Sequence, residues 1–224
     1  MTSSTISDQT SPDSTKLGGW LFRHRTALPL PIAAVIVGIH VGEAAPSVPL
    51  VAAGVGVTVA GELIRLWGVR HIGAISRTRS DRLGPLIDSG PFALVRNPLY
   101  IGNILLWVGF ALAARLVWAA PFAAVLLGAE YHAIVRWEER LLVTRLGDVY
   151  REYAGRVPRW IPALRHGGRG GRRGQHPSEK DSSLGSPGSA VVASFSWRDM
   201  LFSERGTLVA IAVGYALLWL KAQT

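Results

Sequence analysis

Cysteine is absent from this chain of 224 residues, and charged residues are scarce. The missing thiols exclude disulfide bonds, thiolate nucleophiles and cysteine metal sites. Only 17% of the residues are charged, whereas 49% are hydrophobic, and the mean hydropathy is +0.26. An ordinary soluble domain carries about 25% charged residues and clusters its apolar residues less. The composition therefore predicts an integral membrane protein.

Long apolar runs set the predicted fold class. A hydrocarbon core of about 30 Å requires about 20 apolar residues in a helix. We predict an all-α, polytopic transmembrane helical bundle of about five spans, in which the fourth span continues into a cytosolic helical extension. The predicted spans run from about Ala27 to Val41, then over Val48–Trp67, Leu99–Ala114, Leu116–Val135 and Gly206–Leu220.

The composition also divides the chain into four segments. Residues 1–26 are a polar cytosolic tail, which we expect to be disordered over its first 16 residues, and residues 27–162 are the transmembrane core. Residues 163–192 form a basic linker rich in Gly, Ser and Arg, which buries too little apolar surface to fold. Residues 193–224 are predicted to be an interfacial segment followed by the last span.

Basic residues are concentrated in alternate loops. The net charge is +9, yet the turn after the first span contains neither Lys nor Arg. Since cytosolic loops carry the excess of Lys and Arg, we expect a cytosolic amino terminus and an external carboxyl terminus, in a bacterial-type plasma (inner) membrane. We assign the positive charge to anionic lipid headgroups and predict no nucleic-acid partner.

A polar turn precedes the third span in "VRNPLYIG". Pro98 is suited to the first position of a helix, and Gly102 permits a close backbone approach. The unpaired amide groups at a helix start can also receive an anion. Arg96, Asn97 and Tyr100 add polar side chains, so the turn is a candidate binding site.

Two carboxylates and two tyrosines follow the fourth span. Glu138 and Glu139 lie in "RWEER", and Tyr150 and Tyr153 precede Arg156 in "YREYAGRVP". Carboxylates beside arginines are commonly a solvated helix face, and tyrosines often lie at a membrane interface. These residues alone leave structural and functional interpretations open.

Taken together, the two stretches resemble the integral-membrane methyltransferases of the isoprenylcysteine carboxyl methyltransferase family and its phospholipid N-methyltransferase relatives. The first family motif, Arg-His-Pro-x-Tyr-x-Gly, is matched by Arg96, Pro98, Tyr100 and Gly102, with Asn97 in place of histidine. The second motif is matched by Glu138, Glu139, Gly147, Tyr150, Tyr153 and residues 156–158, with Leu146 in place of phenylalanine. The resemblance covers roughly residues 48–162.

The resemblance implies S-adenosylmethionine as methyl donor and a lipophilic, membrane-embedded acceptor that is methylated on a carboxyl or an amine. The candidate catalytic residues are then Arg96, Asn97 and Glu139. The candidate donor-binding residues are Arg96, Asn97, Pro98, Tyr100, Gly102, Glu138, Glu139, Tyr150, Tyr153 and Arg156. An arginine suits the donor carboxylate, and a glutamate suits its ammonium group. Asn97 cannot carry the titrating proton of histidine, so we do not expect a general base at this position.

Other interpretations remain open from the sequence. A sterol-reductase-like membrane enzyme would use NADPH instead, and a bundle that has lost its chemistry would explain Asn97. Glu62 and Arg65, three residues apart in the second span, are expected to pair because charges at membrane depth seldom stay alone. No set of His, Asp and Glu has the spacing of a metal site. The sequence specifies neither the acceptor nor the oligomeric state.

Overall fold

Helices make up the fold of this protein. The computed structural model describes residues 12–72, 86–162 and 197–223. The helices are α1 (Pro12–His24), α2 (Leu30–Gly38), α3 (Val48–Ile72), α4 (Pro98–Ala113), α5 (Ala119–Leu146), α6 (Asp148–Arg156) and α7 (Trp197–Lys221). A short 3-10 helix, Gly90–Ala93, precedes α4. No strand occurs within these ranges, so the predicted all-α class is confirmed for the described part of the chain.

Helix length indicates which elements can cross a membrane. α3 and the Met200–Lys221 part of α7 are long and apolar enough, and their 25 and 22 residues extend about 38 and 33 Å. α4 is apolar but has only 16 residues. α2 has only nine residues, which extend about 14 Å. It ends at Gly38 because the backbone of Ile39 is extended. Two spans are thus supported by length and composition, and a total of five remains a prediction.

α3 and α4 pack backbone against backbone. A Cβ atom added at Gly61 would lie 2.8 Å from the carbonyl oxygen of Gly102, and one added at Gly54 would lie 2.8 Å from that of Gly109. Small residues allow such close contacts between helices in lipid, where packing replaces the hydrophobic effect as the driving force. The α3–α4 pair therefore forms the centre of the bundle and fixes the start of α4 beside the end of α3.

Large apolar side chains point outward from the bundle. On α3, Val55, Val59, Leu63 and Trp67 recur every four residues and are 39%, 51%, 60% and 43% exposed. α7 presents a similar surface with Val209, Trp219 and Leu220. An apolar surface of this kind would be unfavourable in water and is favourable against lipid.

A cluster of charged residues fastens one end of the bundle. Glu43, in the turn between α2 and α3, lies 2.5 Å from the Arg115 guanidinium and 2.9 Å from Lys221 Nζ. Lys221 Nζ also donates to the carbonyl oxygens of Ile36 at 2.8 Å and Ile39 at 2.5 Å. The turns after α2 and α4 and the end of α7 therefore meet at this end, and α4 begins at the opposite end.

Two segments differ from the predicted organisation. α1 begins at Pro12, inside the stretch expected to be disordered, and its Phe22 ring packs 5.0 Å from the Trp137 ring of α5. α7 is continuous from Trp197 to Lys221, so the expected interfacial segment and the last span form one helix. The predicted linker, residues 163–192, lies outside the described residues.

Candidate active site

A cavity of about 1080 Å³ lies between the helices and has walls of two kinds. Its polar end is lined by Arg25, Arg96, Asn97, Tyr100, Glu138 and Glu139. Its apolar part is lined by Leu106, Trp107 and Phe110 of α4 and by Ile211, Gly214 and Leu217 of α7. On α4, Tyr100 of the polar end comes before Leu106, Trp107 and Phe110 of the apolar part. The cavity therefore changes from polar to apolar along the axis of α4. We call the second part the apolar chamber.

The turn before α4 is held by the segment that follows α6. The backbone N–H of Arg96 donates to the carbonyl oxygen of Pro158 at 2.9 Å, and Asn97 Nδ2 donates to that of Arg159 at 3.0 Å. Pro98 begins α4, as its fixed backbone predicts. The Asn97 side chain does not cap the helix, because its amide binds across to the neighbouring segment instead.

Glu139 joins two guanidinium groups. Its Oε1 lies 2.8 Å from Arg96 Nη1 and 3.0 Å from Arg159 Nε, and its Oε2 lies 2.6 Å from Arg159 Nη2. The paired contacts with Arg159 have the fork geometry that makes arginine–carboxylate pairs strong and directional. Both oxygens of Glu139 are thus engaged, and the residue ties α5 to the turn before α4 and to the segment after α6.

Glu138 has a different environment from its neighbour. The hydroxyl of Tyr100 lies 3.1 Å from each of its carboxylate oxygens and donates to them. The Tyr100 ring stacks on Tyr131 with 4.7 Å between centroids. Burial raises the pKa of Glu138 to about 7, although the charge of Arg25 and the Tyr100 hydrogen bond oppose the shift. The cavity therefore contains a carboxyl group that changes its charge near neutral pH.

Tyr150 and Tyr153 form the buried face of α6 together with Val157. Tyr153 donates to the carbonyl oxygen of Phe92 at 2.8 Å, and Tyr150 is hydrogen-bonded to the Arg96 side chain. Burial raises the pKa of Tyr150 to about 12 and also raises the pKa of Tyr153. Both phenols therefore stay protonated at neutral pH, and both rings line the cavity.

Arg96 keeps one donor that the described residues do not use. Its side chain is 14% exposed and binds Glu139 through Nη1. Its Nε is buried and has no hydrogen-bond partner among the described residues. An unsatisfied buried donor is costly, so Arg96 Nε is a ready partner for an acceptor on a ligand.

Gly102 and Arg156 are the two candidates that the structure does not bring to this cavity. A Cβ atom at Gly102 would lie 2.6 Å from Arg65 Cγ and 2.7 Å from the carbonyl oxygen of Gly61, so this glycine serves the packing of α4 on α3. The side chain of Arg156 is 57% exposed and lies 3.9 Å from Glu152. It does not line the cavity, whereas Tyr150 and Tyr153 do.

Comparison with known proteins identifies the middle of the chain. A family model described as phospholipid methyltransferase matches residues 50–148. This part of the chain is similar to the phospholipid methyltransferase family. The resemblance found in the two motifs is thereby confirmed, and the matched segment contains α3, α4 and α5. The family match and the two apolar helices long enough to cross a membrane together indicate a membrane protein.

Two similar proteins are named for metal resistance. The chain is 30% identical over 100 residues to the cobalt-zinc-cadmium resistance protein CzcN of Cupriavidus metallidurans. The matched region is 45% of this chain and 43% of that protein. The chain is also 28% identical over 155 residues to the nickel-cobalt-cadmium resistance protein NccN of Alcaligenes xylosoxydans xylosoxydans. That matched region is 66% of this chain and 69% of that protein. The chain thus spans less than half the length of the first relative.

Elements outside residues 50–148 also line the cavity. Two of their charged residues were not predicted as site residues. Arg25 follows α1 and contributes its charge beside Glu138, and Glu204 of α7 lies 2.6 Å from Arg65. The predicted pairing of Glu62 with Arg65 is confirmed at 3.3 Å. The available signal for Glu204 was an acidic residue next to the apolar run that begins at Gly206. Nothing local distinguishes Arg25 from the other basic residues near it.

Proposed function

We propose that this protein is an S-adenosylmethionine-dependent methyltransferase that acts on a lipophilic acceptor within the membrane. The observation that carries the proposal is the cavity, which joins a polar end with ionised side chains to the apolar chamber between α4 and α7. The match of residues 50–148 to the phospholipid methyltransferase family model supports the reaction class. We assign the polar end to the donor and the apolar chamber to the acceptor.

The polar end matches the chemical groups of S-adenosylmethionine. Its carboxylate requires a hydrogen-bond donor with positive charge, which Arg96 offers through Nε. Its ammonium group requires an anion, and we assign this role to Glu138 because both oxygens of Glu139 already bind guanidinium groups. The buried rings of Tyr150 and Tyr153 provide an aromatic wall for the adenine.

The chain's contribution to the reaction is alignment and the exclusion of water. When bound, S-adenosylmethionine supplies an electrophilic methyl group on its sulfonium. Arg96, Glu139 and Arg159 hold the turn before α4 in place, so the donor-binding groups stay fixed relative to the acceptor. Asn97 uses its amide on Arg159 and cannot titrate. We therefore assign Asn97 a positioning role and no proton transfer.

We place the polar end at the cytosolic face of a bacterial inner membrane. The basis is the excess of arginine in the loops predicted to be cytosolic, together with the position of the donor groups at the start of α4. The apolar chamber then extends into the bilayer, where a membrane-embedded acceptor resides.

The names of the two relatives suggest a physiological setting for the proposed activity. We include in the proposal that the methylated product contributes to resistance against cobalt and cadmium, the metals that both names share. In the described ranges, no group of three or more His, Asp or Glu side chains is placed to hold a metal ion.

The test is donor binding and methyl transfer by the full chain in lipid nanodiscs. Calorimetry should detect S-adenosylmethionine binding, and label from a radioactive methyl group should enter the organic extract of the membrane. Glu138→Gln should weaken donor binding at least about tenfold, or about 1.4 kcal/mol. Arg156→Ala, which changes an exposed arginine of α6, should bind within about twofold of the unaltered protein.

Two results would overturn the proposal. The first is the absence of donor binding by folded protein. The second is binding of NADPH that S-adenosylmethionine does not displace, which would favour a reductase. Equal donor affinity in Glu138→Gln and the unaltered protein would leave methyl transfer possible but remove Glu138 from the site.

A further inference from the structure

A polar cluster lies halfway along the cavity. Arg65 of α3 donates through Nη2 to Glu204 Oε2 at 2.6 Å and to Thr207 Oγ1 at 3.1 Å, and through Nη1 to Asn103 Oδ1. The Glu204 side chain is only 3% exposed and that of Arg65 13%. All four side chains line the cavity, so we call them the midpoint cluster.

The position of the midpoint cluster follows from the order of residues along two helices. On α4, Asn103 comes one turn after Tyr100 of the polar end and one turn before Leu106 of the apolar chamber. On α7, Thr207 comes one turn before Ala210, where the apolar wall begins. A ligand with its tail in the apolar chamber would therefore place its polar head against the midpoint cluster.

We propose that α7 completes the acceptor site, and that Glu204 and Thr207 select an acceptor whose head group donates hydrogen bonds and reject one that ends in a carboxylate. This inference rests on the proposed function, because it assigns the apolar chamber to the acceptor. It narrows the acceptor class to lipophilic amines and alcohols. It also assigns specificity to a helix that lies outside the matched segment, residues 50–148.

The argument for this selectivity is charge complementarity. The guanidinium of Arg65 is already engaged by three oxygen acceptors, from Asn103, Glu204 and Thr207. Its Nε also lies 3.3 Å from the carboxylate of Glu62. A carboxylate head would have to displace one of them and would be repelled by Glu204 at short range. An ammonium or hydroxyl head instead brings donors to a carboxylate and a hydroxyl, both of which accept more than one hydrogen bond. Rejection of the wrong head thus contributes to specificity as much as attraction of the right one.

The experiment compares three amphiphiles with the same tail, n-dodecylamine, n-dodecanol and dodecanoate. Their dissociation constants are measured by calorimetry with the full chain in nanodiscs of one lipid composition, so partitioning into lipid cancels between protein variants. The unaltered protein should bind the amine and the alcohol at least about tenfold more tightly than dodecanoate. Glu204→Gln should reduce the preference for dodecanol over dodecanoate by about tenfold. Glu152→Gln, on the exposed side of α6, should leave it unchanged.

Loss of the Glu204 charge also weakens a buried ion pair, so a second variant keeps the inference testable if Glu204→Gln does not fold. Thr207→Val preserves the Arg65–Glu204 pair and the volume of the side chain. It should weaken dodecanol binding by about threefold to tenfold, as expected for the loss of one hydrogen bond.

The outcomes separate this inference from the proposed function. Tighter binding of dodecanoate than of dodecanol by the unaltered protein would overturn the inference, as would an unchanged preference in both Glu204→Gln and Thr207→Val. Donor binding is measured separately on the same samples. If S-adenosylmethionine binds and the amphiphile preference does not change, only the inference fails. If the donor does not bind, the proposed function fails.

Discussion

At the residue scale, Glu138 makes the proposed donor site sensitive to pH. Its pKa of about 7 means that it is largely protonated below this pH and ionised above it. Because the donor's ammonium group requires the ionised carboxylate, donor affinity should rise by about tenfold between about pH 6 and about pH 8, and then level off. Calorimetric titrations of the full chain across this range would measure the rise.

Two variants show whether Glu138 causes this pH dependence. Glu138→Gln removes the titrating group, so its donor affinity should be low and nearly constant between about pH 6 and about pH 8. Glu152→Gln changes an exposed carboxylate and should keep the full rise. A pH-independent affinity in the unaltered protein would show that another group binds the ammonium.

Glu139 supports a second prediction at this scale. Glu139→Gln removes the negative charge opposite Arg96 and Arg159 and replaces one acceptor oxygen by a donor amide. Removal of one partner from a largely buried pair costs about 3 kcal/mol or more. We expect a lower midpoint of thermal unfolding and at least about tenfold weaker donor binding. Arg156→Ala is the matched control, because it removes a charge from an exposed pair. If Glu139→Gln unfolded at the same temperature as Arg156→Ala, the anchoring role of Glu139 would be contradicted.

The residues of the candidate site differ in how well the sequence predicts them. Glu138, Glu139, Tyr150 and Tyr153 were found because helical spacing and the family motif point to them together, and all four line the cavity. Arg156 shares the motif and follows Tyr153 by about one helical turn, yet its side chain is exposed and does not line the cavity, which helical spacing alone does not indicate. Arg159 was missed because its pairing with Glu139 depends on the direction that the chain takes after α5. Gly147 marks where α5 ends but does not specify that direction.

At the element scale, the contact between α3 and α4 positions the turn that contains Arg96. A Cβ atom at Gly61 would meet the Gly102 carbonyl oxygen at 2.8 Å and Leu105 Cβ at 2.9 Å. Gly61→Ala should therefore force the helices apart and destabilise the protein by about 1 to 3 kcal/mol. Gly56→Ala on the same helix is the matched control, because nothing lies within 4 Å of its Cβ position. Thermal unfolding in nanodiscs would compare the two, and a Gly61→Ala variant as stable as Gly56→Ala would contradict this packing.

Element boundaries were predictable where a single residue sets them. Pro98 starts α4 and Gly147 ends α5 with φ of 55°, because proline fixes its backbone and glycine tolerates positive φ. The length of α2 and the start of α1 were not predictable in this way. α1 contains two adjacent glycines, which disfavour an isolated helix, and its order is accounted for by packing on α5, including the contact between Phe22 and Trp137.

At the scale of the whole molecule, the two ends of the bundle differ in their charge. The end that contains Glu43 has Arg115 and Lys221, and the carboxylate lies between these two cations. Burial opposes ionisation of Glu43, but the hydrogen bond and charge of Lys221 and the charge of Arg115 outweigh it and lower the pKa of Glu43. The opposite end has Arg25, Arg96 and Arg159, and in the sequence the segments that follow α3 and α6 are rich in arginine. Since insertion keeps the more basic loops in the cytosol, the end with the donor groups should face the cytosol.

Reporter fusions test this orientation directly. A reporter placed after Ser47 lies in the turn between α2 and α3, at the end of the bundle that contains Glu43. A reporter placed after Gly185 lies in the predicted linker, and it should report the cytosolic side. A periplasmic phosphatase and a cytosolic fluorescent protein, fused at each position in turn, should give opposite signals at the two positions. Matching signals would place Ser47 and the linker on one side of the membrane. The proposed access of a cytosolic donor to Arg96 and Glu138 would then lose its topological basis, even if donor binding were observed in nanodiscs.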